Sequence, residues 1–161
     1  MLLLDVDGVI SLFGFDHGRP PNGRYALVDG TMHFLSATAA ALIAELARTF
    51  ELVWCTGWEE KADEQLPAQL GLPRGLAHLT FAAPAATAAS RHWKLDAIDA
   101  FAGPRRPLAW IDDAHDDSCR AWAAYRAGPT RLVVTDPAIG ITPAHVRELG
   151  DWAASLTSQP R

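Results

Sequence analysis

The sequence predicts an α/β domain: a doubly wound, Rossmann-like parallel sheet of about five strands with helices on both faces. Two observations lead there. Short apolar runs alternate with segments of helical period, and a crossover between parallel strands must pass over a face of the sheet. Acidic or hydroxyl side chains also close several of the apolar runs, which suits a sheet whose carboxyl ends form a ligand site.

Leu2 to Val6 is a continuous apolar run closed by Gly8, as expected of a central strand buried on both faces. From Ser11 to Pro21 the residues Gly14, Gly18, Pro20 and Pro21 make a loop. Arg24 to Val28 then reads as a short strand or hairpin arm ending at Asp29-Gly30, so this region forms a small flap. Ser36 or Thr38 can cap a helix to about Thr49, with Leu42, Ile43, Leu46 and Phe50 recurring on one face. Glu51 to Cys55 reads as the second strand. After Thr56-Gly57 the stretch Glu59 to Leu70 is helical, with two acids in its first turn and Pro67 expected to kink it or end it early.

His78 to Phe81 makes a weak third strand, and Lys94 begins a helix to about Phe101 that Gly103-Pro104 stops. Leu108 to Ile111 is a further buried strand leading into two aspartates. Asp116 or Ser118 starts the next helix, which ends at Gly128-Pro129; Arg131 to Val134 is the last strand. Pro143 to about Leu156 supplies a closing helix with Val146, Leu149 and Trp152 on one stripe. Residues 1–157 thus read as one domain and 158–161 as a frayed tail, consistent with a chain of 161 residues.

A net charge of -5 with scattered arginines provides no basic stripe for sequence-independent nucleic-acid binding. A compact patch made by Arg19, Arg24, Arg74, Arg91, Arg105 and Arg106 in three dimensions stays open. Cys55 and Cys119 are far apart and flanked by apolar or helix-forming residues, so they read as small buried residues, not as a disulfide or zinc site. No apolar stretch approaches membrane-spanning length and the N-terminal run is too short for a signal peptide, which makes a cytoplasmic location the default expectation.

The chemistry rests on Asp5, Asp7, Thr56, Asp112 and Asp113 at three strand ends, together with Lys94. Hard carboxylate oxygens suit Mg2+, with Asp5 and one of Asp112 and Asp113 as ligands. A phosphoryl group facing several carboxylates needs intervening positive charge, which Mg2+ and Lys94 supply. Thr56, Gly57 and the chain at Asp7-Gly8 offer hydroxyl and backbone N–H donors to phosphate. A carboxylate nucleophile splits hydrolysis into two displacements, and Asp7, two residues from Asp5, is placed to serve both as acid and as base.

These segments resemble the haloacid dehalogenase (HAD) superfamily of phosphatases and phosphotransferases. Leu3-Leu4-Asp5-Val6-Asp7-Gly8-Val9 resembles its first motif, Asp-x-Asp-Gly, whose first Asp is the nucleophile and second the acid/base. Leu52-Val53-Trp54-Cys55-Thr56-Gly57 resembles the second motif and Lys94 the third, with Arg91 as an alternative. Ala109-Trp110-Ile111-Asp112-Asp113 with Asp117 resembles the fourth. The resemblance implies a Mg2+ site drawing on Asp5, Asp7, Asp112 and Asp113. Thr56-Gly57-Trp58-Glu59, Thr135-Asp136-Pro137 and a closing helix are similar to small stand-alone HAD domains, including those associated with RNA-repair proteins.

The usual family cap domains lack room here, so a capless protein is expected. An open site suits a phosphorylated macromolecule such as a phosphoprotein or nucleic-acid end, with the flap and Trp58 covering part of it. Other readings of single residues stand beside these. Asp112-Asp113 can cap the following helix, Thr56 can be an N-cap, and Lys94 can be solvated. Trp58 can pack on its neighbours or stack on a substrate ring. The six histidines show no zinc-ligand spacing, and apart from His115, which is left open, they read as structural. At the level of function, the alternatives are an idle binding or regulatory module with the same fold, and a phosphotransferase to an acceptor other than water.

Overall fold

The computed structural model of the protein describes residues 1–81 and 91–158. The first half runs β1 (Leu2–Leu4), β2 (Ser11–Leu12), β3 (Gly23–Val28), β4 (Thr31–Ser36), α1 (Ala39–Leu46), β5 (Leu52–Trp54) and α2 (Glu60–Leu70). It continues with β6 (Ala77–His78), α3 (Leu95–Ala102), β7 (Leu108–Asp112), α4 (Asp117–Tyr125), β8 (Thr130–Val134) and α5 (Pro143–Thr157). Among the described residues, no helix is long and apolar enough to cross a membrane.

Five strands form a parallel sheet in the order β6-β5-β1-β7-β8. The predicted doubly wound sheet is therefore present, with the N-terminal strand at its centre. Alternation along each strand divides the core between two faces. Leu2, Leu4, Trp54, Ala109 and Ile111 pack with Ile43 of α1, Leu66 of α2 and Leu149 of α5. Leu3, Val53, Leu108 and Trp110 pack with Leu95 and Ile98 of α3 and Cys119 and Trp122 of α4. Each fully buried leucine or isoleucine contributes about 2 kcal/mol.

The winding moves outward from β1 through β5 to β6, then crosses back to β7 and β8, so it reverses between β1 and β7. That reversal opens a crevice beyond the carboxyl ends of these strands. Register brings the chemistry there: Leu4 is level with both Trp54 and Ile111, so Asp5 and Asp112 emerge side by side.

Local structure departs from the sequence expectations in several places; β6, for one, covers Ala77–His78 and not His78 to Phe81. The flap is a three-stranded antiparallel sheet ordered β2-β4-β3, and β4, which was not anticipated, occupies the approach to α1. Its hairpin turns at Asp29 and Gly30, with φ of 48° and 79°, the paired left-handed geometry that matches strand twist in two-residue hairpins. Thr38 does sit at the N-cap of α1, yet its side chain makes no capping bond.

Pro67 does not end α2: the helix continues to Leu70 and closes at Gly71, whose N–H reaches Pro67 O at 2.8 Å. Burial of Leu66 and Pro67 against the sheet outweighs the missing N–H. Helix α5 runs to Thr157, one residue beyond the expected Leu156, with the Thr157 hydroxyl donating to Ala154 O at 2.8 Å. Residues 159–161 of the expected tail lie outside the described residues.

Candidate active site

Asp5, the residue after β1, is buried at the reversal crevice. Its Oδ1 accepts the Val6 N–H at 2.8 Å, and its Oδ2 lies 2.9 Å from Lys94 Nζ. Lys94 occupies the N-cap position of α3 and is only 3 % exposed. Its ammonium also donates to Asp112 Oδ2 at 2.7 Å, so one cation ties the ends of β1 and β7 together. Trp110 Nε1 donates to the same Asp112 oxygen at 3.1 Å, and the Ala114 N–H donates to Asp112 Oδ1 at 2.9 Å.

Asp113 points into the same crevice. One carboxylate oxygen each of Asp5, Asp112 and Asp113 can be chosen so that all lie within 4.8 Å of one another. Burial raises the pKa of Asp5, and Asp112 raises it further, against the opposing pull of Lys94. Burial and then Asp112 likewise raise Asp113. Burial by itself lowers the Lys94 ammonium, but Asp5 and Asp112 outweigh it and leave its pKa raised. Three acids thus face a single buried ammonium, an excess of negative charge that calls for a further cation.

Gly8 adopts a left-handed φ of 71° directly above Asp113. Its carbonyl accepts the buried Thr135 hydroxyl at 2.8 Å, anchoring the loop after β1 to the segment after β8. Thr56 lies just beyond β5 and is 1 % exposed, its Oγ1 taking the Trp58 N–H at 3.4 Å. Gly57 separates Thr56 from Trp58 and lies close under the Trp93 ring. Arg91, the alternative to Lys94, is engaged at the surface by Asp96 and by Asp99 at 2.7 Å.

Asp7 is not in the group of three close carboxylates. Its Oδ2 accepts the Trp58 indole N–H at 2.9 Å and its Oδ1 stands 3.9 Å from His33 Nδ1. His33 Nδ1 also meets Ser11 Oγ at 2.9 Å, and the His33 and Trp58 rings lie 4.5 Å apart. Neither contact is legible in the sequence, where Trp58 reads as a packing or stacking residue and His33 as a structural one. His115 has both ring nitrogens buried without a partner among the described residues, edge-on to Trp110 at 4.4 Å. Cys55 and Cys119 are free and buried, as expected.

The model of a protein family described as the HAD domain in Swiss Army Knife RNA repair proteins matches residues 1–146. The chain belongs to this HAD family. No curated protein and no solved structure matches it. Membership supports a hydrolase- or phosphatase-type enzyme in general terms, and HAD domains generally use Mg2+. The HAD crevice fits such an ion in its donor chemistry. Asp5, Asp112 and Asp113 present hard oxygens at one point, two of the three residues are buried, and Lys94 alone leaves their charge uncompensated.

Proposed function

We propose that this HAD domain is a Mg2+-dependent phosphomonoester hydrolase acting through an aspartyl phosphate on Asp5. The observation that carries the reading is the Asp5–Lys94–Asp112 bridge with Asp113 alongside, built at the reversal of the sheet. Asp5, Asp112 and Asp113 would hold the ion, and the sequence also offers Asp7. Bound Mg2+ supplies the charge neutralisation that lets an anionic phosphoryl group approach three carboxylates.

The chain's own groups do the rest. An Asp5 oxygen attacks phosphorus as the bond to the leaving oxygen breaks, and Asp7 gives that oxygen its proton. Asp7 then takes a proton from water, which attacks the acyl phosphate and frees inorganic phosphate and Asp5. Lys94 favours the ionised form of Asp5 by direct contact, against the burial that raises its pKa, and Thr56 with Gly57 offers donors to the phosphoryl oxygens. Asp7, held by Trp58, is oriented before substrate arrives.

The family description supports a nucleic-acid or nucleotide phosphate as substrate over a phosphoprotein. The deciding experiment is a turnover screen over nucleotides, phosphorylated oligonucleotide ends, phosphopeptides and sugar phosphates, with Mg2+ and with EDTA. Activity is expected only with Mg2+, and Asp5→Asn is expected to lower kcat by at least about 10³-fold. Turnover that survives either EDTA or Asp5→Asn would rule the mechanism out.

A further inference from the structure

One cleft adjoins the site and shares Gly57 with it. It lies between the β3–β4 hairpin and the start of α2, has a volume of about 290 Å³, and is otherwise lined by Val28, Asp29, Thr31, His33, Trp58 and Lys61. Pairing of Val28 with Thr31 and of Ala26 with His33 puts the hairpin's contributors on one face of that sheet. An exposed Lys61–Asp29 ion pair ties the hairpin tip to α2.

Its position fixes which part of a substrate it meets. Trp58 and His33, two of its lining side chains, are the same two that flank the Asp7 carboxylate. Asp7 is the group proposed to protonate the leaving oxygen, so whatever that oxygen carries emerges toward these rings. This step rests on the proposed roles of Asp5 and Asp7.

The lining then indicates the chemical class. The Trp58 and His33 rings pack on each other, centroids 4.5 Å apart and tilted by 59°, and with the apolar Val28 they form a wall against which a flat ring can lie. Thr31, Asp29 and Lys61 add hydroxyl, acceptor and donor groups of the kinds that meet a base edge or sugar hydroxyls. The volume of 290 Å³ is at the small end of ligand clefts, room for one nucleoside and not for a duplex or a folded peptide segment. A chain of net charge -5 has little general attraction for a phosphate backbone, so recognition of one terminal unit would carry the affinity.

We infer that this cleft is a leaving-group subsite that holds the terminal nucleoside of the phosphorylated substrate against Trp58 and His33. The test compares adenosine 5′-monophosphate with glycerol 2-phosphate, which lacks a ring, in wild type and in Thr31→Trp, a substitution at an exposed hairpin position that fills the cleft. The ratio of kcat/KM for the two compounds is expected to favour the nucleotide in wild type and to fall at least tenfold in Thr31→Trp, chiefly through KM. Adenosine alone, titrated into the wild-type protein without Mg2+, is expected to quench tryptophan fluorescence saturably, a readout that requires neither the variant nor turnover.

An unchanged ratio in a folded Thr31→Trp protein, or no saturable response to adenosine, would overturn the subsite. Preference for a phosphoserine peptide over the nucleotide would overturn the nucleoside assignment. Absence of turnover with every phosphate, while adenosine still binds, would instead remove the hydrolase reading and leave the cleft standing as a nucleoside site.

Discussion

Gly8 and Asp113 are packed so closely that no side chain fits between them: a Cβ added at Gly8 would lie 2.4 Å from Asp113 Cγ. The glycine of the first motif therefore serves the fourth. Gly8→Ala is expected to cost about 2 kcal/mol, because its φ of 71° is left-handed and Asp113 must move aside. Urea denaturation measures the first effect and calorimetric titration of Mg2+ the second. Unchanged Mg2+ affinity would remove Asp113 from the metal site.

Lys94→Met leaves Asp5 and Asp112 facing each other, both nearly inaccessible, without their shared ammonium. Metal-free protein is expected to lose about 3–5 kcal/mol. Mg2+ should then raise the melting temperature of the variant by more than it raises that of wild type, since the ion takes over part of the lost compensation. An equal rise in both proteins would argue against a cation site at these carboxylates.

Trp58→Phe keeps a ring against His33 but deletes the N–H that reaches Asp7 at 2.9 Å. Loss of one hydrogen bond to a charged group, about 1.5 kcal/mol, corresponds to roughly a tenfold fall in kcat with little change in KM. Steady-state kinetics on the best substrate of the screen decides it. A fall in stability without a fall in kcat would make Trp58 a packing residue only.

Burial pushes the His115 pKa down from 6.5 to about 4. A depressed pKa means that the folded state binds fewer protons than the unfolded chain between these values. Its stabilising effect is complete above about pH 6.5, declines as pH falls toward about 4, and is gone below that, a change of roughly 3 kcal/mol. His115→Phe is expected to flatten this part of the stability profile in metal-free buffer. Denaturation midpoints at pH 7, 5.5 and 4.5 check it, and an identical slope in both proteins would assign the acid sensitivity elsewhere.

The sheet and the motif residues were legible because both are written in local pattern. An apolar run closed by a polar residue specifies a buried strand with a chemical group at its end, and Asp5, Thr56 and Asp112 each follow that rule. Lys94 was legible by its place before a helix. β4 was missed because its outer positions carry Thr31 and Met32, both exposed, so no clean alternation marks it. That α2 runs on past Pro67 was not legible, because local backbone cost says nothing about the burial that offsets it.

What the sequence determined by itself is the fold class, the order along the chain of the strands that form the parallel sheet, and the set of side chains at their ends. Only the tertiary structure decided how those side chains pair: Lys94 between Asp5 and Asp112, Asp113 beneath Gly8, and Trp58 on Asp7 across 51 positions. Periodicity records whether a residue is buried, a property of its own segment. Partnership depends on register between strands and on the side of the sheet each crossover takes, which arise only when distant segments pack.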